Sequence, residues 1–87
     1  MRMEDRMRQK LEVEFAPEEL EIIDESELHR GHAGYRDGGQ THFRLRMRAA
    51  RLSGKSRVAQ QRAVYACLKE ELEAEDGIHA LALDVSG

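Results

Sequence analysis

The sequence predicts a single α+β domain over residues 1–87, with the element order α-β-β-α-β and a three-stranded sheet that carries the helices on one face. Three observations lead to this prediction. Apolar residues recur every four positions near the start of the chain, residues 41–48 alternate between apolar and polar side chains, and a second helical pattern follows residue 56. A chain of 87 residues has a small core, and one sheet covered on one face buries these apolar patterns economically.

The chain begins with a helix and a short strand. Apolar residues spaced four apart mark one face of a helix over residues 3–15: Met3, Met7, Leu11 and Phe15. Pro17 ends this helix, because a proline ring disfavours helical geometry in the residue before it. The segment LEIID, residues 20–24, follows as the first strand.

The second strand has the clearest pattern in the chain. Residues 41–48, THFRLRMR, alternate strictly. One face carries the apolar side chains Phe43, Leu45 and Met47, and the other carries His42, Arg44, Arg46 and Arg48. This period of two is typical of a strand with one buried face.

A second helix and a last strand complete the order. Ser56 is predicted to cap the helix with its hydroxyl, and Gly77 to stop it by adopting a positive φ. The predicted apolar stripe contains Val58, Gln61, Tyr65, Leu68 and Leu72, widened by Val64 and Cys67. Residues 78–85, IHALALDV, form the last strand, with Ile78, Ala80, Ala82 and Asp84 on one side and His79, Leu81, Leu83 and Val85 on the other. An extra helical turn near Ser53–Ala59 would change the order to α-β-β-α-α-β.

The composition indicates a soluble cytoplasmic protein. No apolar run approaches the roughly 20 residues of a membrane span. The first 15 residues are charged and contain no apolar signal core, so we expect no secretion. The single cysteine, Cys67, excludes an internal disulfide, is typical of a reducing compartment, and is expected to pack as a small apolar side chain.

The charge of −3 is unevenly distributed. Between Thr41 and Arg62 there are seven basic residues and no acidic one, whereas the run KEELEAED at 69–76 is strongly acidic. The middle segment could form a positive face for nucleic acid or for an acidic partner. It is equally compatible with a solvated strand and helix, and the acidic run is expected to be a solvated helix end.

Three of the four histidines lie in the glycine-rich stretch 24–43, and the fourth is His79 on the last strand. Imidazole is a common metal ligand, although a single histidine more often has a hydrogen-bonded structural role. An iron–sulfur site held by one protein usually needs four thiolates, and this chain has one cysteine. The chain could instead lend two imidazoles to a cluster whose other ligands come from elsewhere.

Four motifs together resemble the BolA family over about residues 10–85. They are DES-x-x-H in the loop, THF at the second strand, S-G-x-S-x-V-x-x-x-R-x-V-Y-x-x-L-x-x-EL in the second helix, and the terminal IHALAL. The resemblance implies a fold similar to the type II K-homology domain. It also implies a heterodimer with a monothiol glutaredoxin that holds a bridging [2Fe–2S] cluster, in iron–sulfur cluster trafficking or iron sensing.

The same resemblance implies the ligands. The glutaredoxin supplies a cysteine and its bound glutathione supplies a thiol, and no cluster is expected in the isolated chain. On this chain the implied ligands are His79 of the IHAL segment and a loop histidine, which is His29 by the D-x-S-x-x-H spacing or His32 as the alternative. His42 is expected to be structural.

The sequence also allows a second function and argues against a third. Some members of the resembled family regulate transcription, and the basic segment 44–62 could contact DNA phosphates through Arg51, Lys55, Arg57 and Arg62. The GxxG loop of a K-homology domain is incomplete here, because Arg57 stands where the second glycine is required. An enzyme is not expected, since no nucleophile and base pair is evident, and Ala49 occupies the first glycine position of a phosphate loop ending in Gly54–Ser56.

Overall fold

A computed structural model of the protein describes residues 2–26, 41–75 and 77–87. In these residues the elements are α1 (Met3–Phe15), β1 (Glu19–Asp24), β2 (His42–Arg48), a 3₁₀ turn (Ala50–Leu52), α2 (Arg57–Cys67), α3 (Lys69–Glu73) and β3 (Ala80–Ser86). The sheet has the order β1-β2-β3, with β1 antiparallel and β3 parallel to the central β2. The predicted α+β class and its three-stranded sheet are confirmed, and the element order is α-β-β-α-α-β.

The first helix has the predicted bounds and the predicted buried face. Met3, Met7, Leu11 and Phe15 are all buried in the core. The helix ends because Ala16 turns into the left-handed region, at φ 45°, while its N–H still donates to the carbonyl of Glu12. Pro17 then directs the chain away from the helix and into β1.

The central strand determines the two faces of the sheet. Phe43, Leu45 and Met47 are buried, and on the same face Ile22 of β1 and Leu83 of β3 are register partners of Leu45. The core cluster contains the buried residues of α1 and α2 together with these strand side chains. The opposite face of β2 exposes its arginines.

The second helical region differs from the prediction in two respects. Ser56 caps α2 as expected, since the N–H of Ala59 donates to its Oγ at 3.1 Å. The helix, however, is interrupted at Leu68, and α3 follows as a separate short helix. The extra turn falls at Ala50–Leu52, before the predicted position, because Leu52 is buried in the core there.

The predicted apolar stripe of α2 is partly wrong. Val58 and Tyr65 are 53% and 42% exposed, whereas Val64 and Leu68 are fully buried. The stripe continues into α3 at Glu71, whose carboxylate is fully buried beside two cations of α1. The expectation of a solvated acidic helix end is therefore wrong for Glu71.

Gly77 is needed for a reason other than the predicted one. The helix α3 already ends at Glu73, four positions before Gly77. A Cβ atom at position 77 would lie 2.0 Å from the backbone carbonyl oxygen of Glu71. Glycine is required here because the chain leaving α3 passes directly against that carbonyl.

No helix in the described part of the chain is both long enough and apolar enough to cross a membrane.

Candidate functional site

His79 lies just before β3, with a fixed backbone and an exposed side chain. Its N–H donates to the carbonyl of Thr41 at 2.7 Å, and the N–H of Ala80 donates to the same oxygen at 3.2 Å. The preceding residue, Ile78, is buried, and its N–H donates to the carbonyl of Glu71 at 2.8 Å. These bonds hold the backbone around His79 while its imidazole faces solvent.

The predicted alternation of the last strand therefore begins later than expected. Leu81, Leu83 and Val85, predicted to share one side of the strand, all pack against the core. His79, predicted to share that side, is exposed, and Ile78, predicted to lie on the other side, is buried. The reason is that the regular strand starts at Ala80, so residues 78 and 79 still belong to the connection from α3.

A buried hydroxyl pair joins the two ends of the segment that carries the loop histidines. Ser26 Oγ accepts hydrogen bonds from the N–H of Thr41 at 3.0 Å and from the N–H of His42 at 3.1 Å. The hydroxyl of Thr41 donates to the same oxygen at 3.1 Å, and both side chains are buried. Since the carbonyl of Thr41 also accepts a hydrogen bond from the N–H of His79, the flanks of segment 27–40, Ser26 and Thr41, lie beside His79.

His29 and His32 lie outside the described residues. The structure therefore places the flanks of their segment, Ser26 and Thr41, and does not place the two histidines themselves.

His42 is buried beside His79. By alternation it shares a face with the exposed arginines of β2, but it is only 4% exposed. Its Nδ1 lies 2.8 Å from the hydroxyl of Thr41, and its ring centroid lies 5.2 Å from that of His79, with the rings tilted by 52°. Sequence reasoning missed this contact, because it depends on the parallel pairing of β2 with β3.

The described residues contain few candidate metal ligands. His79 is exposed, and within the described ranges no group of three or more His, Cys, Asp or Glu side chains could hold a metal ion. Burial raises the pKa of the Cys67 thiol, which is half-buried and lies 3.6 Å from the carbonyl oxygen of Lys10. A raised pKa favours the protonated thiol, and the thiolate is the form that ligates metals.

Carboxylates compensate the arginines of β2. Each arginine lies 3.1–3.6 Å from at least one carboxylate oxygen: Arg44 from Glu25, Arg46 from Glu21 and Asp84, and Arg48 from Glu18 and Glu19. The exposed face of the sheet is therefore an array of mixed charges. The strand half of the predicted positive face is wrong, because neighbouring strands supply carboxylates that the local sequence does not contain.

The other predicted basic residues are less compensated. Arg51 lies in the 3₁₀ turn, where it donates to the carbonyl oxygen of Glu14. Among the described residues no carboxylate forms an ion pair with Lys55, Arg57 or Arg62. Arg57 lines a cavity together with Arg44 of β2 and residues 83–85 of β3, whereas His79 precedes β3.

Comparisons with known proteins agree with one another. A family model described as BolA-like protein matches residues 11–86. SufE-like protein 1 of Arabidopsis thaliana is 45% identical over 82 residues, which cover 90% of this chain and 22% of that protein. The DNA-binding transcriptional regulator BolA of Escherichia coli (strain K12) is 35% identical over 83 residues, which cover 95% of this chain and 73% of that protein.

Comparison with solved structures gives the same result. The BolA domain of SufE1 from Arabidopsis thaliana superposes with a TM-score of 0.80 at 41% sequence identity, covering 94% of this chain and 87% of that one. BolA1 from the same plant superposes with a TM-score of 0.79 at 39% identity and the same coverage. The match therefore extends over nearly all of the residues that build the sheet and helices.

Proposed function

The chain belongs to the BolA-like protein family, and from that membership we propose that it binds a monothiol glutaredoxin and co-ligates a [2Fe–2S] cluster shared by the two proteins. His79 is one ligand from this chain, and His29 or His32 is the other. The glutaredoxin cysteine and glutathione supply the thiolates. The role is non-catalytic, in cluster trafficking or iron sensing, and the cluster belongs to the complex rather than to the isolated chain.

The observation that supports this proposal is the position of His79 beside Ser26 and Thr41, the two residues that flank the segment with His29 and His32. His29 is three positions after Ser26 in the sequence, a span of at most about 11 Å when fully extended. His32 is six positions after Ser26, a span of at most about 22 Å. Chain length alone therefore limits both histidines to a region around Ser26, and the limit is tighter for His29.

The proposed roles of the protein groups follow from imidazole chemistry. A histidine ligates iron through a neutral ring nitrogen. The cluster supplies electron-transfer and iron–sulfur chemistry when bound. This chain supplies two nitrogen donors. One is His79, whose backbone is held by Thr41, and the other is His29 or His32.

Reconstitution tests the proposal directly. Wild type is mixed with a cluster-loaded monothiol glutaredoxin, and visible circular dichroism is recorded beside His79→Ala, His29→Ala and His32→Ala. We expect wild type to change the spectrum and His79→Ala to abolish the change. The loop variant that behaves like His79→Ala identifies the second ligand.

Stability provides the control for this series. Because the His79 side chain is exposed, its truncation should change the free energy of unfolding by no more than about 0.5 kcal/mol. A loss of the spectral change at unaltered stability therefore indicates lost ligation. A glutaredoxin spectrum that wild type leaves unchanged would contradict the proposal.

We propose DNA binding as a second candidate, favoured by cations near α2 that form no ion pair among the described residues and by the Escherichia coli relative, a DNA-binding transcriptional regulator. The residues are Arg51, Lys55, Arg57 and Arg62. In duplex binding across a salt series, the double variant Lys55→Gln/Arg57→Gln should reduce the slope of log affinity against log salt by about two. Arg46→Gln is the matched control, because its guanidinium is already paired with Glu21 and Asp84. Equal effects of both variants would contradict a specific contact at α2.

A further inference from the structure

His42 is held more rigidly than the histidine beside it. It is 4% exposed, its N–H donates to Ser26 Oγ at 3.1 Å, and its Nδ1 lies 2.8 Å from the hydroxyl of Thr41. Thr41 is itself fully buried and bonded to Ser26. The orientation of the His42 ring is therefore set from both its backbone and its side chain.

The His79 ring has a different environment. Its backbone is fixed by the carbonyl of Thr41, but the imidazole is exposed and could rotate about two side-chain bonds. Among the described residues no hydrogen bond or ion pair restrains this imidazole, and the ring of His42, 5.2 Å away, is the aromatic contact that it makes. This centroid distance and the tilt of 52° lie within the range of favourable ring pairs.

We propose that His42 is a positioning residue, whose fixed imidazole limits the orientations in which His79 presents its ring nitrogen to a metal. This inference rests on the proposed role of His79 as a cluster ligand. Ser26 is hydrogen-bonded to Thr41, Thr41 contacts the ring of His42, and that ring contacts the exposed ring of His79. A ligand that is ordered before binding loses less side-chain freedom when the metal arrives.

The expected change in affinity for the shared cluster follows from the side-chain entropy that His79 would otherwise lose on binding. Ordering one side chain on binding weakens affinity by roughly threefold to tenfold. Removing the contact with His42 should therefore weaken uptake of the shared cluster by about that factor, while leaving every proposed ligand in place.

The test uses the full chain in three variants. His42→Leu removes the ring, His42→Phe keeps a ring but removes its nitrogens, and Thr41→Val removes the hydroxyl that orients the His42 ring. The first readout is the order parameter of the His79 ring, measured by NMR relaxation on the free, metal-free chain. The second is the titration with cluster-loaded glutaredoxin, followed by visible circular dichroism.

We expect the His79 ring to be ordered in wild type, mobile in His42→Leu and intermediate in His42→Phe, which keeps the ring contact but loses the hydrogen bond with Thr41. Cluster uptake should weaken by about threefold to tenfold in His42→Leu and by less than twofold in His42→Phe. Thr41→Val should mobilise both rings. If either substitution of His42 prevents folding, Thr41→Val still decides whether the order of the His42 ring controls that of His79.

Two results would overturn the inference. Equal order of the His79 ring in wild type, His42→Leu and Thr41→Val would show that His42 does not position it. Complete loss of the spectral change in His42→Phe, with an ordered His79 ring, would make His42 a ligand rather than a positioning residue. Because ring order is measured without glutaredoxin, a wild-type chain that fails to take up cluster would reject the proposed function and leave this measurement intact.

Discussion

Replacing Glu71 with alanine is expected to lower the free energy of unfolding by about 3 kcal/mol. The carboxylate is fully buried, and it accepts hydrogen bonds from Lys10 Nζ at 2.9 Å and Arg6 Nη2 at 3.1 Å. The alanine variant loses both charge-assisted bonds and leaves a cavity between α1 and α3. Urea unfolding of the two proteins measures the loss.

Two further variants separate the sources of this loss. Glu71→Gln keeps the volume and a hydrogen-bond acceptor but removes the charge, so it should be less destabilising than alanine. Lys10→Met removes one cation, and a double-mutant cycle with Glu71→Ala should give a coupling energy of at least about 1 kcal/mol. Additive effects would show that the ion pair contributes nothing beyond packing.

The pH dependence of stability gives an independent check on Glu71. Burial alone would raise the pKa of its carboxyl, but the hydrogen bonds from Lys10 and the backbone, with the charges of Lys10 and Arg6, lower the pKa below its ordinary value of 4.5. The folded value is thus below the unfolded one. The stabilisation is present above about pH 4.5 and is lost as pH falls through the folded value. Glu71→Gln should lack this acid-dependent component.

Substituting Gly77 by alanine is expected to destabilise the fold by about 2–3 kcal/mol. The added Cβ would lie 2.0 Å from the carbonyl oxygen of Glu71 and 3.0 Å from the Cβ of Ala74. Because the closest atom is backbone, the connection from α3 to β3 must move. That connection includes the N–H of Ile78, which binds the same carbonyl, and it leads directly to His79. We therefore expect cluster uptake to weaken together with stability in urea unfolding and reconstitution.

Gly54→Ala is the matched control for this substitution. Gly54 has a φ of 78°, and a Cβ at this position would meet nothing within 4 Å. Its substitution should cost about 1 kcal/mol, from the backbone conformation alone. It should leave cluster uptake unchanged, because the turn lies at the opposite end of the sheet from His79. A Gly77→Ala protein as stable as Gly54→Ala would contradict the close approach.

Local pattern was sufficient for the elements whose burial repeats regularly. The spacing of Met3, Met7, Leu11 and Phe15 gave α1 its correct bounds, and the alternation in residues 41–48 identified β2 and its buried side. The Ser56 cap was also predictable, because capping involves residues only three apart. The resemblance to the BolA family is confirmed, and it selected His79 where the residues alone left several histidines equivalent.

The features that were missed depend on partners distant in sequence. Glu71 was placed on the surface because its cations, Arg6 and Lys10, stand 65 and 61 positions earlier in the chain. The helical spacing predicted Tyr65 in the core, but the side of α2 that is buried carries Val64 instead. The spacing alone does not show which side of the helix faces the sheet. The contact between His42 and His79 required the parallel register of β2 and β3. Each of these depends on tertiary structure rather than on local periodicity.

The hydrogen bonds between Ser26 and Thr41 join the two ends of segment 27–40. The stability of the domain should therefore depend little on the length of that segment. For a segment joined at both ends, each doubling of its length costs only about 0.6 kcal/mol in closure free energy. The 14 residues between Ser26 and Thr41 can therefore be lengthened at little expense, provided that the two hydroxyls stay paired. Insertions beyond position 32 would leave both loop histidines at the same distance along the chain from Ser26. A longer segment between Ser26 and Thr41 should therefore leave the folded core unchanged.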